Sequence, residues 1–173
     1  QIIFHKRTPL YVPELDTTQH RLTISGQVNF SSHLQADDDI EMIVVVFYPH
    51  TINLFLDTPA SSFYNKEVSG YDIEGKHLAE LAKQVFECED NNHCVNLIER
   101  WLLSRLSIRP YETTYRVRRM TAAIEQLCVV PQTLVTDLSS TCCLGKKQFE
   151  REFCLQVGMN PNEYSRIVRF QKT

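Results

Sequence analysis

VTDLSSTCCLGKKQFEREFCLQVG, residues 135–158, is the stretch on which the reading of this chain turns. It holds two short helical patterns on either side of a tight turn. Phe149, Phe153 and Val157 fall at i, i+4 and i+8, which predicts one buried stripe along the second helix. Lys146, Lys147, Glu150 and Arg151 cluster in the first two turns of that helix, where a helix seated in a major groove meets base edges and phosphates. Upstream, Val135, Leu138 and Ser139 offer a small inner face for a helix crossing at a steep angle, and Leu144 closes the corner. This is the pattern of a helix-turn-helix. It also fits two amphipathic helices that merely pack on each other, so the neighbouring residues have to separate the two.

Those neighbours favour the first reading. Gly158 stands where a helix C-cap calls for a positive φ. Asn160-Pro161-Asn162-Glu163 then opens a further helix with an N-cap Asn, a Pro at the first helical position and a Glu at N3. Tyr164, Ile167, Val168 and Gln171 line one side of it, and Arg166, Arg169 and Lys172 line another.

The run LGKKQFEREFCLQVGMNPNEYSRIVRFQK, residues 144–172, resembles the first helix-turn-helix and connecting helix of AraC/XylS-type bacterial transcription regulators. The resemblance implies double-stranded DNA as the partner. It implies base-reading positions at Lys147, Glu150 and Arg151, with Lys146 nearer the phosphates. Those residue types suit such contacts, since Arg grips guanine bidentately, Glu accepts from cytosine N4, and Lys serves either base or phosphate. Two positions depart from the family. Cys143 stands where relatives commonly place Gly, and Gly145 where they place a Ser or Thr cap. A Cys held at positive φ costs about 1 kcal/mol, so a looser or differently shaped turn is expected. The family's reader also holds two helix-turn-helix units joined by one long helix, and this chain stops at Thr173 within that helix. Only the first unit is expected here.

Composition bounds the rest. The chain has 173 residues, 43% apolar and 10% aromatic, ordinary for one or two small domains with a real core. It begins with Gln1, and Ile2-Ile3-Phe4 is already strand-like, so further residues are expected ahead of it. Nothing in the sequence resembles a signal peptide and it contains no run of about 18 apolar residues, so a cytoplasmic protein without membrane association is expected. Residues 1–109 carry nine Lys and Arg against fifteen Asp and Glu, a balance of −6. Residues 110–173 carry nine against six, a balance of +3, which leaves the chain at −3. The basic excess therefore travels with the helix-turn-helix, as a DNA footprint requires, though it is modest.

Six cysteines, Cys88, Cys94, Cys128, Cys142, Cys143 and Cys154, form no CxxC pair and predict reduced, mostly buried thiols. Cys88, Asp90, His93 and Cys94 lack the spacing of a closed zinc site, and adjacent Cys142 and Cys143 would bridge only with strain. Asp37, Asp38 and Asp39 read as a solvated turn rather than a cation site. No metal and no cofactor is expected.

The first segment reads as β. Residues 21–30 alternate polar and apolar, and residues 40–47 form a short β-branched run. Such strands cannot stand as a lone hairpin, so a partial barrel or sandwich is expected, its other strands missing or supplied by a partner. After Tyr48-Pro49-His50 the period changes to short helical turns around residues 52–56 and after Pro59, followed by a loop around Gly70. The run VFYPHTINLFLDTPASSFYNKEV, residues 46–68, resembles the small N-terminal barrel-plus-helix domain of a subgroup of AraC-type regulators whose function is unassigned.

Helices fill the remainder. Ile73, His77, Leu78, Leu81, Ala82 and Val85 repeat at helical spacing, as do Val95, Leu97, Ile98, Trp101, Leu102 and Leu106 after an acidic break. Trp101 reads as a core anchor. Arg109-Pro110 marks a boundary, because the residue before Pro is driven from the helical region. Tyr111, Tyr115, Met120, Ile124 and Leu127 predict the buried side of a further helix, and Arg116, Arg118 and Arg119 its outer side, open to phosphates or to solvent.

The expected fold is α+β: residues 1–109 an N-terminal β-plus-helix sensor or dimerisation domain, residues 110–173 an all-α helix-turn-helix unit. Two functions compete. One is a DNA-binding transcriptional regulator that inserts the helix around 145–157 into the major groove, served by a small-molecule effector or a homodimer. The other is a ligand-sensing or protein-interaction module that keeps a degenerate helix-turn-helix for packing. An enzyme is not expected, because no nucleophile lies near a base, no phosphate loop is present, and His5, His20, His33, His50, His77 and His93 are scattered singly.

Overall fold

The computed structural model describes residues 1–73 and 75–172, so Thr173 lies outside the described residues. The α+β class holds: a small antiparallel sheet is followed by helices. Strand β1 (Ile2–His5) lies between β4 (Leu22–Ser25) and β5 (Met42–Val45), and β6 (Glu67–Ser69) extends the sheet beyond β4. A separate ribbon pairs β2 (Tyr11–Val12) with β3 (Thr17–Thr18).

Register explains which side chains go inside. Ile2 faces Ile24 and Val45, and Phe4 faces Leu22 and Ile43, so these six share one surface of the sheet. That surface packs on helix α1 (Gly75–Glu87) and helix α2 (Asn91–Ser107) through Leu78, Leu81, Val85, Cys94 and Ile98. Phe4 meets Phe86 edge-on at 6.3 Å between ring centres. On β5 the alternate residues Met42 and Val44 face out, because β5 is a sheet edge and only its inner side is covered.

Several expectations change here. The strand expected over 21–30 ends at Ser25, where Gly26 passes so close to Phe63 that an added Cβ would sit 1.8 Å from its carbonyl oxygen. The strand that completes the sheet, β6, comes from the chain itself, out of a stretch read as a loop. His77, Val95 and Leu106 are exposed rather than part of buried stripes, and on α2 the inward positions are Cys94, Ile98 and Arg105. Trp101 does pack against the core, half-buried. Asp90 caps α2, its carboxylate accepting from the amides of Asn92 and His93.

The helical half begins after Pro110, the N-cap of α3 (Tyr111–Val129). Next come α4 (Val135–Thr141), α5 (Lys146–Val157) and α6 (Pro161–Gln171). Their shared core holds Met120, Ile124, Leu127, Leu138, Phe149, Phe153, Val157, Tyr164 and Val168. Tyr111 and Tyr115 are not in it. They are exposed and stacked on each other at 6.2 Å, and Val117 and Ala123 take the inward places on α3. The thiols are also less buried than expected, with Cys94 and Cys142 inside and Cys128 and Cys143 exposed.

The two halves meet along a polar seam. His50 Nε2 lies 2.9 Å from Thr121 Oγ1, and Asn53 Nδ2 donates to the Leu155 carbonyl at 3.2 Å. Below them, the 3-10 turn Ala60–Phe63 packs on α5 and Gly158. Asp57 holds Arg109 and Arg105, the latter at 2.9 Å, and these pairs push its carboxyl below the usual range, Arg109 contributing most.

Candidate nucleic-acid interface

The helix-turn-helix is formed by α4, residues 142–145 and α5. Leu138 and Ser139 of α4 turn inward, and Phe149, Phe153 and Val157 of α5 are each fully buried, so the predicted stripe is the one that packs. The turn is tight. Cys143 N–H donates to the Ser140 carbonyl and Leu144 N–H to the Ser139 carbonyl, both at 2.9 Å. Cys143 takes φ 51°, the left-handed geometry that favours Gly, and the turn is tight rather than loose. The hydrogen bonds and the burial of adjacent Cys142, whose thiol donates to the Arg119 carbonyl at 3.3 Å, hold the strained residue in place.

Gly145 caps α5 in extended geometry without a side-chain cap. At the other end Gly158 turns to φ 96°, and Asn160 and Glu163 form the predicted capping box ahead of α6. These signals fix the start and stop of α5. Its exposed face is then set by the 3.6-residue period.

That face carries the four predicted residues: Lys146, Lys147 and Arg151 are exposed, and Glu150 is half-buried. Lys146 and Lys147 make no ion pair among the described residues, and the nearest carboxylate oxygen to Arg151, on Glu152, is 3.9 Å away. Both lysines stand at the positive end of the helix dipole with no acid in the first turn. Cations there are unfavourable for the isolated helix and attractive to an incoming anion. The N-terminal module packs on a different side of α5, against Glu152, Leu155 and Gln156, and leaves the basic face open.

Sequence reasoning missed residues on both sides of the helix. Gln148, exposed in the first turn, adds a side chain able to pair with adenine. Glu152 and Gln156 are buried, which no pattern of polar residues would suggest, because their cover comes from the loop after β5. Arg166 and Arg169 of α6 are exposed, while Lys172 reaches back to the Val129 carbonyl at 3.2 Å. Arg116 and Arg118 are exposed on α3, and the Arg119 guanidinium lies 5.2 Å from the ring centre of Tyr115.

The model of a family described as a domain of unknown function (DUF6597) matches residues 1–69, which spans the sheet from β1 to β6 and ends before α1. No curated protein and no solved structure matches the chain. Among the described residues, no helix is long and apolar enough to cross a membrane.

Proposed function

We propose that this protein is a cytoplasmic, non-enzymatic transcriptional regulator of the AraC/XylS type that seats α5 in the major groove of double-stranded DNA. The observation that carries the reading is the exposed cluster of Lys146, Lys147 and Arg151 at the N-terminal half of α5, placed against the helix dipole and left uncovered by the N-terminal module. A helix spends stability on such an arrangement, and a phosphate or guanine edge returns it. Lys147, Glu150 and Arg151 read bases and Lys146 grips phosphate. The match of residues 1–69 to a domain of unknown function is compatible with a sensing or self-associating module joined to such a reader.

A module that senses a ligand or binds a protein partner, with the helix-turn-helix kept for packing, is the competing reading. It is favoured by the burial of Glu152 and Gln156 against the N-terminal half. Fluorescence anisotropy on mixed-sequence duplex DNA across a salt series separates the two. Binding that weakens steeply with salt and disappears when Lys146, Lys147 and Arg151 are all changed to Glu supports the regulator. Absence of binding, both here and in a chain extended beyond residue 173, supports the alternative.

A further inference from the structure

The corner between α1 and α2 brings two thiols together. Helix α1 ends at Glu87, Cys88 follows it directly, and Cys94 lies at the start of α2. One oxygen ties both residues down: the Asp90 carbonyl accepts from the Cys88 thiol at 3.2 Å and from the Cys94 amide at 3.0 Å. The Cys94 thiol turns back toward its neighbour, 3.7 Å from the Cys88 carbonyl oxygen and 3.7 Å from that of Val85. The two thiols are also in hydrogen-bonding contact with each other. Asp90 is itself fixed, because its carboxylate accepts from the amides of Asn92 and His93. Backbone and side chain together hold this corner in one shape.

The pair is built unevenly. Cys94 is 0% exposed, whereas Cys88 is half-buried beside exposed Glu89 and Asp90. A dissolved reagent therefore meets Cys88 first. Burial raises the Cys94 thiol above its ordinary value, the contact with Cys88 adds to the rise, and Lys6 opposes it. A thiol of raised pKa is a strong nucleophile once deprotonated and a poor leaving group, so a bond from Cys94 to Cys88 resists being reopened. The other thiols lack this arrangement. Cys142 and Cys143 are adjacent in the chain and would bridge only with strain, and Cys128 is exposed.

We infer that Cys88 and Cys94 form a modification site for low-molecular-weight disulfides, Cys88 taking the incoming sulfur and Cys94 closing an internal disulfide. The Cys88 thiol gives its proton to solvent, and its sulfur attacks one sulfur of the reagent, RSSR. A bond from Cys88 to that sulfur forms as the S–S bond of the reagent breaks, and RS⁻ leaves and is protonated. Cys94 then gives its proton to solvent, and its sulfur displaces the second RS⁻ from Cys88. The protein has lost two protons and two electrons, and RSSR has become two RSH. The product staples the end of α1 to the start of α2, two helices that pack on the same face of the sheet. The site does not depend on whether α5 reads DNA.

The test equilibrates the full chain with reduced and oxidised glutathione in varied ratio, in native buffer and in concentrated urea, then quenches with acid, alkylates and maps the peptides by mass. In native buffer the Cys88–Cys94 disulfide should form with an equilibrium constant at least about tenfold above that in urea, because the fold holds in place two thiols that the unfolded chain merely tethers. By linkage, the bridged chain should gain the same factor in its folding equilibrium over the reduced chain. Cys94→Ser should leave Cys88 carrying glutathione, and Cys88→Ser should leave Cys94 unmodified. A native-to-urea ratio short of tenfold would overturn the proposal. So would a Cys94 that takes up glutathione in Cys88→Ser as readily as Cys88 does in Cys94→Ser.

Discussion

Tyr64 donates its hydroxyl hydrogen to Glu163 Oε1 at 2.9 Å, while Oε2 of the same carboxylate accepts the Asn160 amide at 3.3 Å. One acid therefore completes the cap of α6 and ties that helix to the N-terminal half. Burial and this carboxylate both raise the Tyr64 phenol above its ordinary value, burial contributing more. Tyr64→Phe should cost about 1–2 kcal/mol, as expected for a hydrogen bond to a charged acceptor at a partly exposed site. Glu163→Gln should cost a similar amount, and the double variant less than the sum. A double-mutant cycle in urea that adds within error would show that the two groups do not cooperate.

Lys146 should act in opposite directions on stability and on DNA. Changing Lys146 to Glu replaces a cation at the positive end of α5 with an acid, which favours the helix by about 0.3–1 kcal/mol. Thermal melts should move up while affinity for every duplex sequence falls. Lys147→Ala, Glu150→Ala and Arg151→Ala should instead shift base preference, each by about 1–3 kcal/mol at the position it reads. Uniform losses from all four substitutions across a randomised duplex library would rule out direct readout by this face.

His5 and His50 are both held below the ordinary imidazole value of 6.5, chiefly by burial, with Gln19 and Glu125 respectively pulling the other way. Each imidazole therefore binds its proton more weakly in the folded state than in the unfolded chain. Between the two pKa values the unfolded state holds more protons, so stability rises with pH there. The contribution is complete above pH 6.5 and is lost as pH falls from 6.5 through the lower folded values. Urea denaturation at successive pH values should record this slope, and His50→Gln should flatten part of it. An unchanged slope in that variant would assign the effect elsewhere.

Cys143 sits at φ 51° in an exposed turn, a conformation that disfavours any residue with a Cβ. Cys143→Gly should stabilise the fold by about 0.5–1 kcal/mol, the relief of strain exceeding the extra freedom that Gly gives the unfolded chain. Gly145→Ser should add a few tenths of a kcal/mol at most, since a side chain there meets open space and can cap α5. Calorimetry reads both, and a lower melting temperature for Cys143→Gly would mean that the left-handed turn carries little strain.

Helical periodicity made α5 and α6 legible before the structure, because Phe149, Phe153 and Val157 face a core built mostly from their own neighbourhood. The capping signals at Gly158 and at Asn160 with Glu163 are local too, and they hold to the residue. What the sequence hid depends on distant partners. Strand β6 is three residues long, too short for an alternation to show, and exists because β4 offers it an edge. Tyr111 and Tyr115 have the spacing of a buried stripe, yet both are exposed and stack on each other while Val117 takes the inward place. Nothing local in the sequence marks Arg105 or Glu152 for burial, because the groups that cover them lie far away in the chain.

The contact of Gly158 with Ala60 gives α5 an unequal pair of ends. Its C-terminal end rests on the N-terminal module, where an added Cβ at Gly158 would come within 3.1 Å of the Ala60 carbonyl oxygen. Its basic end projects away from that support. The 12-residue helix is a stiff rod about 18 Å long. A tilt of about 5° at the held end would swing the other by about 1.5 Å, half the length of a hydrogen bond. The sheet module thus holds one end of α5 and the core of α3 and α4 holds the other through Phe149, so the direction in which Lys146 and Lys147 point is set by both halves of the chain.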